Sequence, residues 1–110
     1  TIRHLVDEVL DDAGYTVINA ADGAAGLKVL QSGARIDLLI TDVEMPRLDG
    51  FGLLGRIRAT PRYARLPVVM VTALEDPTDK QRALDMGASA YIVKSSFDED
   101  QLLDVIAHLL

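Results

Sequence analysis

Three short segments, LLIT (Leu38–Thr41), VVMVT (Val68–Thr72) and YIV (Tyr91–Val93), are apolar or β-branched at almost every position. A strand with one wet face alternates polar and apolar residues, whereas a strand covered on both faces reads as a continuous apolar run. Covered strands of this kind belong in a parallel sheet with helices packed on both sides. Helical patterns flank them. Ile2, Leu5, Val6, Val9 and Leu10 follow the spacing of one helical face, and Gly14 is a plausible stop.

The pattern then repeats along the sequence. YTVINA (Tyr15–Ala20) reads as a strand, followed by the Asp22-Gly23 turn signal and a helix anchored by Leu27 and Leu30 that ends near Ser32-Gly33. IDLLIT is expected to be a strand and GFGLLGRIRA a helix capped by Asp49 and stopped before Pro61, with Phe51, Leu54 and Ile57 facing the core. After PVVMVTA, Asp76 caps a helix with Pro77 in its first position, and Gly87 closes it. AYIVK forms the last strand. Ser96 and Glu99 are expected to make a capping box for a final helix striped by Leu102, Leu103, Ile106 and Leu110.

At 110 residues the chain fits one domain with a single core. Apolar residues make up 49% and charged residues 25%, which is the balance of a folded globular chain. With 17 acidic against 11 basic residues the net charge is -6, and no stripe of Lys and Arg points to nucleic acid or to an anionic membrane. The absence of cysteine excludes disulfides, thiolate metal sites and cysteine nucleophiles, and fits a reducing compartment. No apolar run approaches a membrane span and no signal peptide is visible, so a soluble cytoplasmic protein is expected.

In open α/β sheets ligands bind outside the carboxyl ends of the strands. Three strand ends carry polar groups here: DLLITD ends on Asp42, PVVMVT on Thr72 and AYIVK on Lys94. Each has an ordinary explanation by itself, as a turn acid, a strand threonine or a solvated lysine. Parallel strands would bring all three to one edge. A carboxylate there can attack phosphorus to form an aspartyl-phosphate if the surrounding negative charge is neutralised. Lys94 would supply one positive charge, and Mg2+ the rest, held by Asp42 and a nearby backbone carbonyl. Thr72 would hydrogen-bond a phosphoryl oxygen.

LLITDVEMPRLDGFGLL, LPVVMVTA and GASAYIVK, with the spacings between them, resemble the receiver domain of bacterial two-component response regulators across essentially the whole chain. That resemblance implies a flavodoxin-like, doubly wound parallel sheet of strand order 2-1-3-4-5. It implies that Asp42 is the phosphoacceptor, that the main-chain carbonyl of Glu44 joins Asp42 at Mg2+, and that Thr72 and Lys94 hold the phosphoryl group. Tyr91 matches the switch aromatic that turns inward when the threonine moves; otherwise it is a half-buried tyrosine with its hydroxyl at the surface. The implied partners are a histidine kinase, separate or in the same polypeptide, and a protein docking on the fourth helix, fifth strand and fifth helix. Such a domain assists its own phosphorylation and is not a conventional enzyme.

Two departures stand out. The family's first strand, ending in the two adjacent acids that hold the metal, has no counterpart before the first helix, and Asp7, Asp11 and Asp12 lie along or beyond that helix. The reading is a receiver domain over residues 1–110, truncated at its N-terminus, with residues upstream of Thr1 in the natural protein or a strand lent by a neighbouring chain. A sheet without that central strand is expected to leave a slot of unpaired backbone groups. The second departure is Ser95 after Lys94, where receivers commonly carry proline; VKSSF resembles receivers attached to chemotaxis-type histidine kinases.

Other motifs carry less. GFGLLG fits the dinucleotide fingerprint G-x-G-x-x-G, yet VEMPRLD separates it from the strand it should follow at once. DVEMPRLDG lacks the ligand spacing of an EF-hand and contains Pro46. His4 falls on the polar side of the first helix and His108 in the last turn of the final one, outside any ligand cluster. Two competing functions remain: a phosphorylation-independent interaction module, favoured by the missing acids if the truncation is natural, and an aspartate-nucleophile phosphatase of the haloacid dehalogenase type, with Glu44 as the acid two residues on, against which the remaining sequence resembles receivers.

Overall fold

The computed structural model describes residues 2–110, with side chains from Leu5 onward. The described residues form five α-helices and three strands, in the order α1 (Ile2–Asp12), α2 (Gly23–Gln31), β1 (Leu39–Thr41), α3 (Gly50–Ala59), β2 (Val68–Thr72), α4 (Pro77–Asp85), β3 (Ala90–Val93) and α5 (Glu99–Leu109). The strands form one parallel sheet in the order β1-β2-β3. Leu39, Ile40 and Thr41 pair with Val68, Val69 and Met70, and Val69 to Thr72 pair with Ala90 to Val93.

β2 is central and wholly buried. Its alternate side chains divide the core into two layers. Val68 and Met70 pack with Leu27, Leu54 and Ile57 under α2, α3 and α4. Val69 and Val71 pack with Val6, Leu10, Leu102 and Ile106 under α1 and α5. This is the doubly wound α/β arrangement expected from the runs of apolar residues.

Helix ends follow local chemistry. Asp22, Asp49 and Asp76 each accept a hydrogen bond from a first-turn amide of α2, α3 or α4. Gly14, Gly33 and Gly87 take positive φ after α1, α2 and α4, a backbone that glycine adopts without steric cost. The capping box at α5 is a correction: Asp98, not Ser96, is the cap, its carboxylate accepting from the Asp100 N–H. A 3-10 turn over Lys94–Ser96 intervenes, and there the Ser96 hydroxyl donates to the Val93 carbonyl. Leu110 departs as well, since it ends the helix exposed rather than in the apolar stripe.

YTVINA is the larger correction. Residues 15–20 join no ladder, although half-buried Tyr15 and Val17 alternate with exposed Thr16 and Ile18 as in a strand. A strand exists only when a neighbour takes its hydrogen bonds, and no described strand lies beside this one. Between it and β1 runs a cleft of about 680 Å³, whose apolar lining includes Val17, Ala20, Leu38, Ile40, Val71 and Ile106. The cleft lies where the slot was expected.

Candidate functional site

The polar end of the sheet is built by three consecutive strand ends. β1 delivers Asp42, one residue past Thr41; β2 ends on Thr72; β3 delivers Lys94, one residue past Val93. Lys94 Nζ donates to Asp42 Oδ2 at 2.6 Å. The other oxygen, Oδ1, accepts from the Val43 N–H at 2.6 Å and the Glu44 N–H at 3.3 Å. The carboxylate is thus held in one rotamer, with amides on one oxygen and an ammonium on the other. Asp42 and Lys94 keep 28% and 30% of their side-chain surface exposed, so a reagent can reach both.

Thr72 is fully buried at the end of the strand between them. Its Oγ1 accepts from the Leu74 N–H at 3.2 Å, while the Tyr91 hydroxyl donates to the Leu74 carbonyl at 2.9 Å. One residue of the β2–α4 loop therefore joins Thr72 to Tyr91. Burial, followed by the Asp79 carboxylate, pushes the Tyr91 phenol above its ordinary value, with the Thr72 hydroxyl opposing. Tyr91 is half-buried, and its hydroxyl bonds the loop rather than lying at the surface.

A second ion pair lies beside the site and was not legible from motif spacing. Arg47 donates from Nη1 to Asp22 Oδ2 at 2.5 Å, linking the Asp42–Asp49 loop to the N-cap of α2. The hydrogen bond from the Ala25 N–H draws the Asp22 carboxyl below the usual carboxylate value; burial opposes this, and Arg47 lowers it further. The only signal in the sequence was the Asp22-Gly23 pair, which reads as a turn.

The family model for the response regulator receiver domain matches residues 1–107. The chain belongs to this family. The receiver is 43% identical over 96 residues to a gliding motility regulatory protein of Myxococcus xanthus, covering 87% of this chain and 12% of that protein. A chemotaxis protein of Vibrio cholerae, CheY4, is 38% identical with a TM-score of 0.87, over 99% of this chain and 89% of that one. The signal receiver domain of a signal transduction histidine kinase from Syntrophus aciditrophicus is 33% identical with a TM-score of 0.86, over 99% of this chain and 80% of that one. The chain spans about an eighth of the Myxococcus relative.

Membership makes the chain a receiver domain of two-component signalling with the flavodoxin-like fold. Receiver domains are phosphoacceptors rather than conventional enzymes, work with histidine kinases, at times within one polypeptide, and generally bind Mg2+. The donor set for that ion is thin here. Mg2+ takes six oxygens, of which one or two are usually carboxylates. Asp42 offers one carboxylate, already engaged on both oxygens, and among the described residues no three acidic or histidine side chains converge. These residues do not make up the site by themselves. Asp7, Asp11 and Asp12 lie on α1 rather than at a strand end.

The other motifs resolve simply. GFGLLG lies within α3, eight residues past β1 (Asp42 to Asp49), so it forms no phosphate-binding turn. Gly50 serves packing, because a Cβ there would fall on the Asp42 carbonyl oxygen. His108 Nδ1 contacts the Asp104 carbonyl within α5, and the side chain of His4 lies outside the described residues. No helix among the described residues is long and apolar enough to cross a membrane.

Proposed function

We propose that this receiver takes a phosphoryl group on Asp42 from a histidine kinase and transmits the change to a docking face formed by α4, β3 and α5. The observation that carries this reading is the 2.6 Å contact between Lys94 Nζ and Asp42 Oδ2 at the carboxyl end of a parallel sheet. Oδ1 is pinned by two amides, so Oδ2 is the attacking oxygen. It forms the new O–P bond as the N–P bond of the donor phosphohistidine breaks, and the imidazole leaves with the electron pair. Lys94 passes from the carboxylate to an equatorial phosphoryl oxygen, where fixed positive charge stabilises the transition state.

Thr72 follows. Its oxygen already accepts from Leu74, so its proton is free to bond a second phosphoryl oxygen. Because Leu74 also holds the Tyr91 hydroxyl, movement of Thr72 changes the anchor of the switch tyrosine and hence the surface of β3 and α4. Asp42 and the Glu44 main-chain carbonyl would hold Mg2+ only together with acids from outside these residues, and the ion would then neutralise charge at the carboxylate. A receiver joined to a chemotaxis-type histidine kinase is the preferred context, supported by the VKSSF variant and by the similar Syntrophus receiver.

Incubation with a small phosphoramidate donor and Mg2+ tests the reading. The expected product is one hydroxylamine-labile acyl phosphate per chain, absent from Asp42→Asn, with the beryllofluoride complex perturbing the Tyr91 environment. A parent protein that takes no label and ignores beryllofluoride would instead support the phosphorylation-independent interaction module, which the thin donor set favours.

A further inference from the structure

The loop that carries Asp42 leaves ordinary backbone at one residue. Arg47 has φ 68°, the one non-glycine with positive φ among the described residues. Across it the Leu48 N–H donates to the Pro46 carbonyl at 2.8 Å. A positive φ under an i to i+2 hydrogen bond marks the rarer and more strained kind of γ-turn. Glycine or asparagine would take this backbone more readily. What arginine adds is reach: Nη1 bonds Asp22 Oδ2 at 2.5 Å, and Asp22 is only 7% exposed, its other oxygen fixed by the Ala25 N–H.

The placement of this pair matters. Asp22 ends the extended segment that forms one wall of the cleft, and the Arg47 loop follows β1, which forms the other. The ion pair therefore ties the two walls together at their carboxyl ends. The join is close, since a Cβ at Gly23 would run into the Leu48 carbonyl oxygen. On the far side of the turn, the Gly50 N–H returns to the Val43 carbonyl at 2.8 Å. Val43 is the residue whose own N–H holds Asp42 Oδ1.

We propose that Arg47 is a positioning residue: anchored on Asp22, it holds the strained turn so that Val43 and Glu44 keep their N–H groups on the Asp42 carboxylate. Arg47 touches no reacting atom and acts through the loop. Its effect on rate rests on the reading of Asp42 as the phosphoacceptor, whereas its effect on the two amides does not.

Arg47→Gly and Arg47→Lys in the intact protein test this. Glycine accepts the positive φ but drops the anchor, so the melting temperature should stay close to that of the parent. The amides of Val43 and Glu44 should exchange hydrogen about tenfold faster, and phosphoryl uptake from a phosphoramidate should slow by a similar factor. Arg47→Lys, which keeps a charge toward Asp22, should recover most of both. Unchanged exchange at the two amides in Arg47→Gly would overturn the proposal, as would faster exchange spread across the whole domain with a lowered melting temperature. If the parent takes no phosphoryl group, the reading of Asp42 fails by itself, and amide exchange still decides the role of Arg47.

Discussion

Lys94 Nζ sits 2.6 Å from Asp42 Oδ2 although the strands delivering these residues are not neighbours. β2 runs between them, and two strand spacings amount to roughly 9–10 Å, a gap the long lysine side chain crosses over the end that carries Thr72. A group arriving at Asp42 therefore meets the ammonium that follows one outer strand, beside the buried end of the central one.

Removing that ammonium should separate chemistry from stability. The pair is partly exposed, so Lys94→Ala should cost less than about 1 kcal/mol of folding free energy. Its rate of phosphoryl uptake should fall on the order of 10² to 10³-fold, as when a fixed transition-state donor is lost. Stopped-flow phosphorylation beside urea denaturation measures both, and a rate within a few-fold of the parent would remove Lys94 from the mechanism.

Tyr91 gives a pH signature. Burial raises its phenol above the ordinary value of 10.0. A folded value above the unfolded one means that the neutral phenol stabilises the fold fully below about pH 10. That contribution disappears as the pH climbs through the folded value. Ultraviolet titration of the phenolate should show one late tyrosine that is missing from Tyr91→Phe. The same variant loses the bond to Leu74, worth about 1 kcal/mol.

Arg58 is a structural staple. Its Nε and Nη2 donate to the Gly87 carbonyl, and its Nη1 donates to the carbonyls of Ala64 and Leu66. Those acceptors end α4 and line the approach to β2, so one guanidinium ties α3 to both. Arg58→Ala should cost about 2–3 kcal/mol and lower the melting temperature by roughly 10 °C. Arg58→Lys should recover little, because an ammonium cannot reproduce the planar fork. Differential scanning calorimetry reads both.

Gly50→Ala should damage site and fold together. The new Cβ would strike the Asp42 carbonyl oxygen and the Val43 backbone, and backbone cannot rotate aside as a side chain can. A loss of about 1–3 kcal/mol is expected, with slower phosphoryl uptake. Gly55→Ala is the control, since its Cβ meets only the flexible end of Met86 at 3.7 Å; helix propensity should then make it neutral or stabilising.

Features controlled by neighbours in sequence were legible. Asp49 and Asp76 cap the helices they precede, and Gly14 and Gly87 follow the helices they close. The gathering of Asp42, Thr72 and Lys94 at one edge was legible for a related reason: a parallel sheet aligns strand ends, so it needed only their positions after three apolar runs. The start of α5 was not, because Ser96 and Asp98 both offer a capping oxygen and the 3-10 turn after β3 decides between them. Arg47 and Asp22 lie 25 positions apart with no periodicity to connect them.

The sequence by itself determined the layered α/β architecture, the family and the edge of the sheet where Asp42, Thr72 and Lys94 gather, because apolar periodicity and capping are short-range properties. Only the tertiary structure decided that YTVINA runs without a ladder beside an open cleft, that Lys94 bonds Asp42 across β2, and that a strained arginine turn is moored to Asp22. Each depends on which segments meet in space, and a strand, an ion pair or a tolerated strain exists only once its partner is in place.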